Sequence, residues 1–338
     1  MDATLWRTRL SWLLAVGGMG LLALLVSRVS WPGIVVALRG LIVPWLAAAL
    51  LLAIASVSLR ALRLSILLGR RTTFLQTWRS VCLGYFGSLF LPLGGGEIVK
   101  VAALHRHAGL SLPRAGTALT MDRLFDVATL LVLLLAVLGH GMIRGLRTGP
   151  VLLLAAGAAA LVALLLFLLV SGTELRGWLL RWAGRHSGRH TWIHRFDEVH
   201  DQALALRRPI LLPMLTLLQA GILAADVLAA WCSLLAFPLG RALPPAAPLR
   251  LALFVMLAFG LPLLPGGFGS HQAATILALA PFGIGTEKAL AVSLAGEATH
   301  FAALILLGLA AIHGSGLTPL RLFRGAKVLD SPHPPEAP

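Results

Sequence analysis

The chain has 338 residues, 58% of them hydrophobic and 12% charged, with a mean hydropathy of +0.88. Apolar runs of about 20 residues recur from end to end, which excludes one large soluble core and implies an all-α polytopic membrane protein. The net charge of +15 is not read as a nucleic-acid signature, because aromatic interleaving and a nucleic-acid fold motif are missing; it fits loops rich in Lys and Arg beside anionic phospholipids.

In chain order, the first apolar stretch, 10–26, follows Arg7 and Arg9. It lacks a small-residue cleavage pattern, so it is expected to stay as an uncleaved helix. Six full spans can be placed at 10–27, 41–59, 115–138, 150–171, 210–236 and 289–312, each long enough for about 30 Å of hydrocarbon. The pieces 80–91 and 97–108 are shorter, and Pro-Leu-Gly-Gly-Gly separates them. Each makes roughly 18 Å of helix, so neither spans alone and together they form a hairpin. The segment 172–209 sets Trp178, Trp182, Trp192 and Phe196 among Arg and His, as an amphipathic cytoplasmic loop would. The arms 249–261 and 270–281 form a second hairpin, and the tail 328–338 is Pro-rich and expected to be disordered. A single integral membrane domain covers 1–320, with no separate soluble unit.

Charge sets the topology. Arg60, Arg63, Arg70, Arg71 and Arg79 fall in 60–79, and Arg176, Arg181, Arg185, Arg189, Arg195, Arg207 and Arg208 in 172–209, whereas 28–40, 139–149 and 237–249 are poor in basic residues. The positive-inside rule puts the first two segments in the cytoplasm and the other three outside. With spans 115–138 and 150–171 between the basic segments, 80–108 must not cross and is re-entrant from the cytoplasm. The second hairpin then dips in from outside, and both termini are cytoplasmic.

The two hairpins belong to related motifs, 80–138 and 249–312. Setting Gly109 on Gly283 places Leu110 on Ile284, Arg114 on Lys288, Ala115 on Ala289 and Arg123 on Glu297, and one gap brings Leu91-Pro92 onto Leu264-Pro265. This predicts an inverted repeat whose broken helices put a substrate site near the midplane. The breaks are Pro92, Gly94, Gly95 and Gly96 in the first hairpin, and Pro265, Gly266, Gly267 and Gly269 in the second.

Ionisable residues at membrane depth are candidate functional groups. Glu97 and Lys100 open a half-helix whose free N–H groups favour anions. Asp122 and Asp126 share a helix face, and Arg123 could bind a lipid phosphate or hold an internal pair with Asp126 or Glu97. Glu297, the repeat mate of Arg123, is expected to pair with it across the pseudo-two-fold axis, with His300 one turn on. Asp226 is expected to pair with Arg or His from a neighbouring helix, and His271, beside Gln272, to cap its helix or to titrate. His186, His190 and His194 have metal-ligand spacing without acidic or Cys partners, and Cys82 and Cys232 are isolated, so neither a metal site nor any other cofactor is expected.

Leu91-Pro92, Gly94 to Glu97, Lys100, Gly109-Leu110-Ser111, Asp122-Arg123-Leu124, Asp126 and Pro265-Gly266-Gly267-Phe268-Gly269 together resemble the lysylphosphatidylglycerol synthase transmembrane family. This is the flippase-like half of bacterial multiple peptide resistance factors, and its stand-alone members include hopanoid-associated membrane proteins. The sequence departs from that family where a Glu commonly follows the second glycine motif, since His271-Gln272 stands there. The resemblance implies flipping or scrambling of a polar-headed lipid across the bacterial inner membrane, and not lipid aminoacylation, because the soluble synthase domain is not in the sequence. The expected function is movement of an anionic or phosphate-bearing head group through a central cavity lined by Glu97, Lys100, Arg123, Asp126, Asp226, His271, Glu297 and His300. The alternative is a membrane enzyme of lipid or glycan assembly with an intramembrane carboxylate as general base. The partners in view are the lipid substrate, anionic phospholipids at the basic loops, and a second copy or a lipid-synthesis protein.

Overall fold

The computed structural model describes residues 31–91, 95–139, 210–238, 243–260 and 267–313, with 156, 157 and 160 besides. The expected span at 10–27, nearly all of that at 150–171, the loop 172–209 with its His186, His190 and His194 series, the tail, and the break residues Pro92, Gly94, Pro265 and Gly266 lie outside the described residues. Among the described residues there are nine α-helices and no strand.

The short helix α1 (Trp31–Arg39) precedes α2 (Val43–Leu68). Helix α2 has Pro in its first turn, where the missing N–H costs nothing, and ends at Gly69, whose φ of 67° lets its N–H close back on the Ser65 and Ile66 carbonyls. Its 26 residues make roughly 39 Å of helix. The sequence-based span stops at 59, where Arg60 and Arg63 open a basic segment. They instead continue the helix in ion pairs, Arg63 buried and Arg60 partly so, and Arg70, Arg71 and Arg79 are what remains of that basic segment outside α2.

Helix α3 (Phe74–Ser88) starts at a capping box, in which Thr73 Oγ1 accepts from the Gln76 N–H and Gln76 Oε1 from the Thr73 N–H. Helix α4 (Gly95–Ala108) folds back along it. Gln76 Nε2 donates to the His107 carbonyl at 2.8 Å, Gly84 faces Lys100, and Gly87 faces Val99, so numbers rise along one helix as they fall along the other. The approach depends on absent side chains. A Cβ on Gly96 would stand 2.5 Å from the Gly84 carbonyl oxygen.

Gly109, with φ of 63°, turns the chain into α5 (Leu112–Gly139), and α6 (Leu211–Leu235) then lies along α2. The second pair, α7 (Ala246–Gly260) and α8 (Ser270–Leu279), is also antiparallel. Arg250 donates to the Leu277 carbonyl at 3.2 Å near one end, while Ser270 and Gly267 meet Ala258 and Phe259 near the other. A 3-10 turn, Ala280–Phe282, and Gly283, with φ of 73°, lead into α9 (Thr286–His313). Both halves thus run as a pair of short antiparallel helices, a left-handed glycine at the aligned positions 109 and 283, and a helix of 28 residues.

Helices α2, α6 and α9 are long and apolar enough to cross a membrane. Helix α9 is the common strut. Its Leu304, Leu307 and Ala311 enter one core with α2, α3, α4 and the start of α5, whereas its Ala289, Leu290 and Val292 enter another with α7 and α8. The helix pairs therefore sit at opposite ends of α9, roughly 20 Å apart along its axis.

Candidate functional site

Helix α2 presents Arg60 and Arg63 one turn apart, α5 presents Asp122 and Asp126, and α6 presents Gln219 and Asp226. Residues three, four or seven apart share a helix face, so each helix turns its polar pair one way. Arg63, completely buried, donates through Nε to Asp122 at 2.7 Å, through Nη2 to Asp126 at 2.9 Å, and through Nη1 to Gln219 Oε1. The Gln219 amide passes on to Thr129. Arg60 joins Asp126 at 2.8 Å to Asp226 at 2.7 Å, and Ser56 also donates to Asp226.

The network continues into the first helix pair. Arg123 donates to Asp126 at 3.0 Å and to Glu97 Oε1. The same oxygen accepts from Lys100 at 3.1 Å, and Glu97 Oε2 is a buried atom with no partner among the described residues. Lys100 is buried, with Nζ 4.8 Å from the Tyr85 ring centre. Its stem runs over Gly84, where a Cβ would lie 2.8 Å from the Lys100 Cβ. The bare Gly84 surface therefore sets where Lys100 can lie.

These contacts form one connected set with the cations Arg60, Arg63, Lys100 and Arg123 and the anions Glu97, Asp122, Asp126 and Asp226. Four formal charges of each sign cancel, which is what allows them to be held at depth. The set is not uniformly buried: Arg63 is 0% exposed, whereas Arg123 and Glu97 are 44% and 36% exposed. Asp126 lies roughly 21 Å along α5 and Asp226 roughly 23 Å along α6, near the middle of each. A charged pair left open at that depth is costly against hydrocarbon and favours polar surroundings.

A second polar centre lies between α8 and α9. Gln272 Nε2 donates to Glu297 Oε2, and His271 Nδ1 meets Ser293 Oγ at 2.8 Å. The Phe259 ring stands between His271 and His300, with centroids 5.6 and 5.3 Å away. His300 is within electrostatic reach of Asp226 and Arg60 and so adjoins the first centre.

The sequence-based site residues thus divide. Glu97, Lys100, Arg123, Asp126 and Asp226 share one network, His271 and Glu297 lie at the α8–α9 contact in separate hydrogen bonds, and His300 adjoins Asp226 and Arg60. The expected Arg123–Glu297 pair does not form, because α5 packs on α2, α4, α6 and α7 whereas α9 packs on α1, α2, α3, α6 and α8. His271 is not the cap of α8, since Gln272 Oε1 takes the Gly269 N–H. Sequence reasoning missed Arg60, Arg63 and Gln219. The available signal was spacing: Arg60 and Arg63 are three apart at the end of an unbroken apolar run, as Asp122 and Asp126 are four apart in another.

No curated protein matches the chain. The family model described as the lysylphosphatidylglycerol synthase TM region matches residues 10–308. The chain is a multi-pass membrane protein that belongs to this family, and so to the membrane proteins of lipid metabolism or transport.

Proposed function

We propose that the protein flips or scrambles a polar-headed, anionic or phosphate-bearing lipid across the bacterial cytoplasmic membrane, and is not an enzyme. The observation that carries this reading is the Arg123–Glu97 pair, the most exposed part of a charge-balanced network whose Arg63, Lys100 and Asp122 are buried. A phosphate matches the guanidinium fork and competes with a carboxylate for it, and Glu97 released from Arg123 keeps Lys100. The head group thus exchanges one set of charge-assisted hydrogen bonds for another while the acyl chains stay in the bilayer.

The two helix pairs at opposite ends of α9 support the rest of the reading, in which they are re-entrant hairpins of an inverted repeat. Opening at one pair and then at the other exposes the shared centre to each leaflet in turn. Both termini are placed in the cytoplasm, and the aqueous outlets border the basic loops that face anionic lipids.

The test is translocation of fluorescent lipids with several head groups in proteoliposomes, comparing wild type with Arg123→Ala and Glu97→Gln. Movement of a phosphate-bearing lipid that falls at least about tenfold in Arg123→Ala is expected, the equivalent of about 1.4 kcal/mol and so within what one charge-assisted hydrogen bond contributes. Wild-type movement retained in both variants would remove the network from the pathway.

A further inference from the structure

The second polar centre holds a carboxyl group that lipid binding at Arg123 does not use. Glu297 lies roughly 17 Å along α9 and is 2% exposed. Its Oε2 accepts from Gln272, and its Oε1 is buried with no partner among the described residues. The Gln272 amide cannot turn round to offer its oxygen, because Gly269 N–H donates to Gln272 Oε1 at 2.6 Å. Glu297 therefore sees one N–H and one vacant direction.

The groups one turn from Glu297 on either side are His271 from α8, bonded to Ser293, and His300 of α9 itself, which Asp226 from α6 and Arg60 from α2 face, while Tyr85 from α3 lies toward Arg60. His271 is held by Ser293, and Arg60 is committed to Asp126 and Asp226. Helix α1 has Arg39 in its last turn. None of these supplies Glu297 with an ion pair among the described residues. An ionised Glu297 would be a buried charge without a counterion, which is costly, whereas a proton on Oε1 removes the charge. A metal cation is a poor occupant, because hard cations gather about six or more oxygens and here an N–H already faces the carboxyl group.

We infer that Glu297 is a proton-binding site that couples proton movement to lipid translocation. In the step, an O–H bond forms at Oε1 with a proton from water on the face to which the centre is open, and breaks to water on the opposite face. The neutral form passes between the two states without an uncompensated charge. His300, one turn along α9 and close to Asp226 and Arg60, conveys the state of Glu297 to the lipid-binding network. This coupling rests on the lipid reading above, and the proton site itself does not.

Two measurements separate them. Infrared pH-difference spectra of the reconstituted protein are expected to contain a protonated-carboxyl band that is lost in Glu297→Gln and restored in Glu297→Asp. Its absence from wild type, or its persistence in Glu297→Gln, would overturn the proton site whatever the lipid does. Fluorescent phosphatidylglycerol is then followed across vesicles bearing a pH gradient. One proton per lipid shifts the leaflet ratio about tenfold per pH unit, and Glu297→Gln should abolish the shift. A band lost in Glu297→Gln with wild-type movement indifferent to the gradient would overturn the coupling and leave translocation standing. The same band with no lipid movement would leave the proton site standing, and would overturn translocation together with the coupling built on it.

Discussion

Two arginines in one network have opposite tasks. Arg63 is completely buried and holds Asp122, Asp126 and Gln219, so Arg63→Ala strands a buried carboxylate at Asp122. Removing one partner of a buried pair costs about 3–5 kcal/mol, whereas an exposed pair is worth about 0–1 kcal/mol. Unfolding titrations in detergent should therefore show a large loss for Arg63→Ala. Arg123→Ala should change stability little while slowing lipid movement at least about tenfold, because Arg123 is half-exposed and Asp126 keeps Arg60 and Arg63. Equal losses in the two variants would mean that Arg123 is a structural residue. Sequence alone singled out Arg123 and not Arg63. A basic residue beyond the end of a hydropathy window reads as loop, and its partners on α5 and α6 are 59 and 156 residues away.

At the scale of elements, most boundaries were legible because glycine, proline and apolar length are local signals. The span read at 210–236 is the helix Leu211–Leu235, that at 289–312 is Thr286–His313, and the arms at 97–108 and 270–281 are Gly95–Ala108 and Ser270–Leu279. The extension of α2 to Leu68 was hidden, since it depends on ion pairs formed in three dimensions. So was the reason for several glycines. The sequence pattern puts a hairpin break at Gly96, whereas the residue lies in the first turn of α4 and packs against the backbone of α3. Gly96→Ala drives a Cβ into the Gly84 carbonyl oxygen, a backbone atom that cannot swing aside, and should cost about 1–3 kcal/mol as overpacking. Gly116→Ala, on α5 with open space around the added methyl, should be neutral or slightly stabilising through helix propensity. Thermal unfolding of the two variants side by side checks the close approach of α3 and α4. A matching loss at both positions would contradict it.

For the whole molecule, what matters is which water each helix pair can reach. The network near the middle of α5 and α6 can serve lipid from both leaflets only if the two pairs admit water from opposite sides. Their placement at opposite ends of α9 is compatible with that, and the proposed topology puts the first pair on the cytoplasmic side with the Arg-rich 172–209 segment. A re-entrant pair returns to the face from which it came, so both of its ends share one side; a crossing helix separates them. Single cysteines at Arg71 and Ser111 bracket the first pair, and at Pro245 and Thr286 the second, all at exposed positions. With Cys82 and Cys232 replaced, an impermeant thiol reagent should label the first two positions from the cytoplasmic side alone and the last two from the outside alone. Labelling of Arg71→Cys and Ser111→Cys from opposite faces would make one of α3 and α4 a crossing segment. The network would then open to a single leaflet, the geometry of a site that modifies a lipid in place rather than one that moves it.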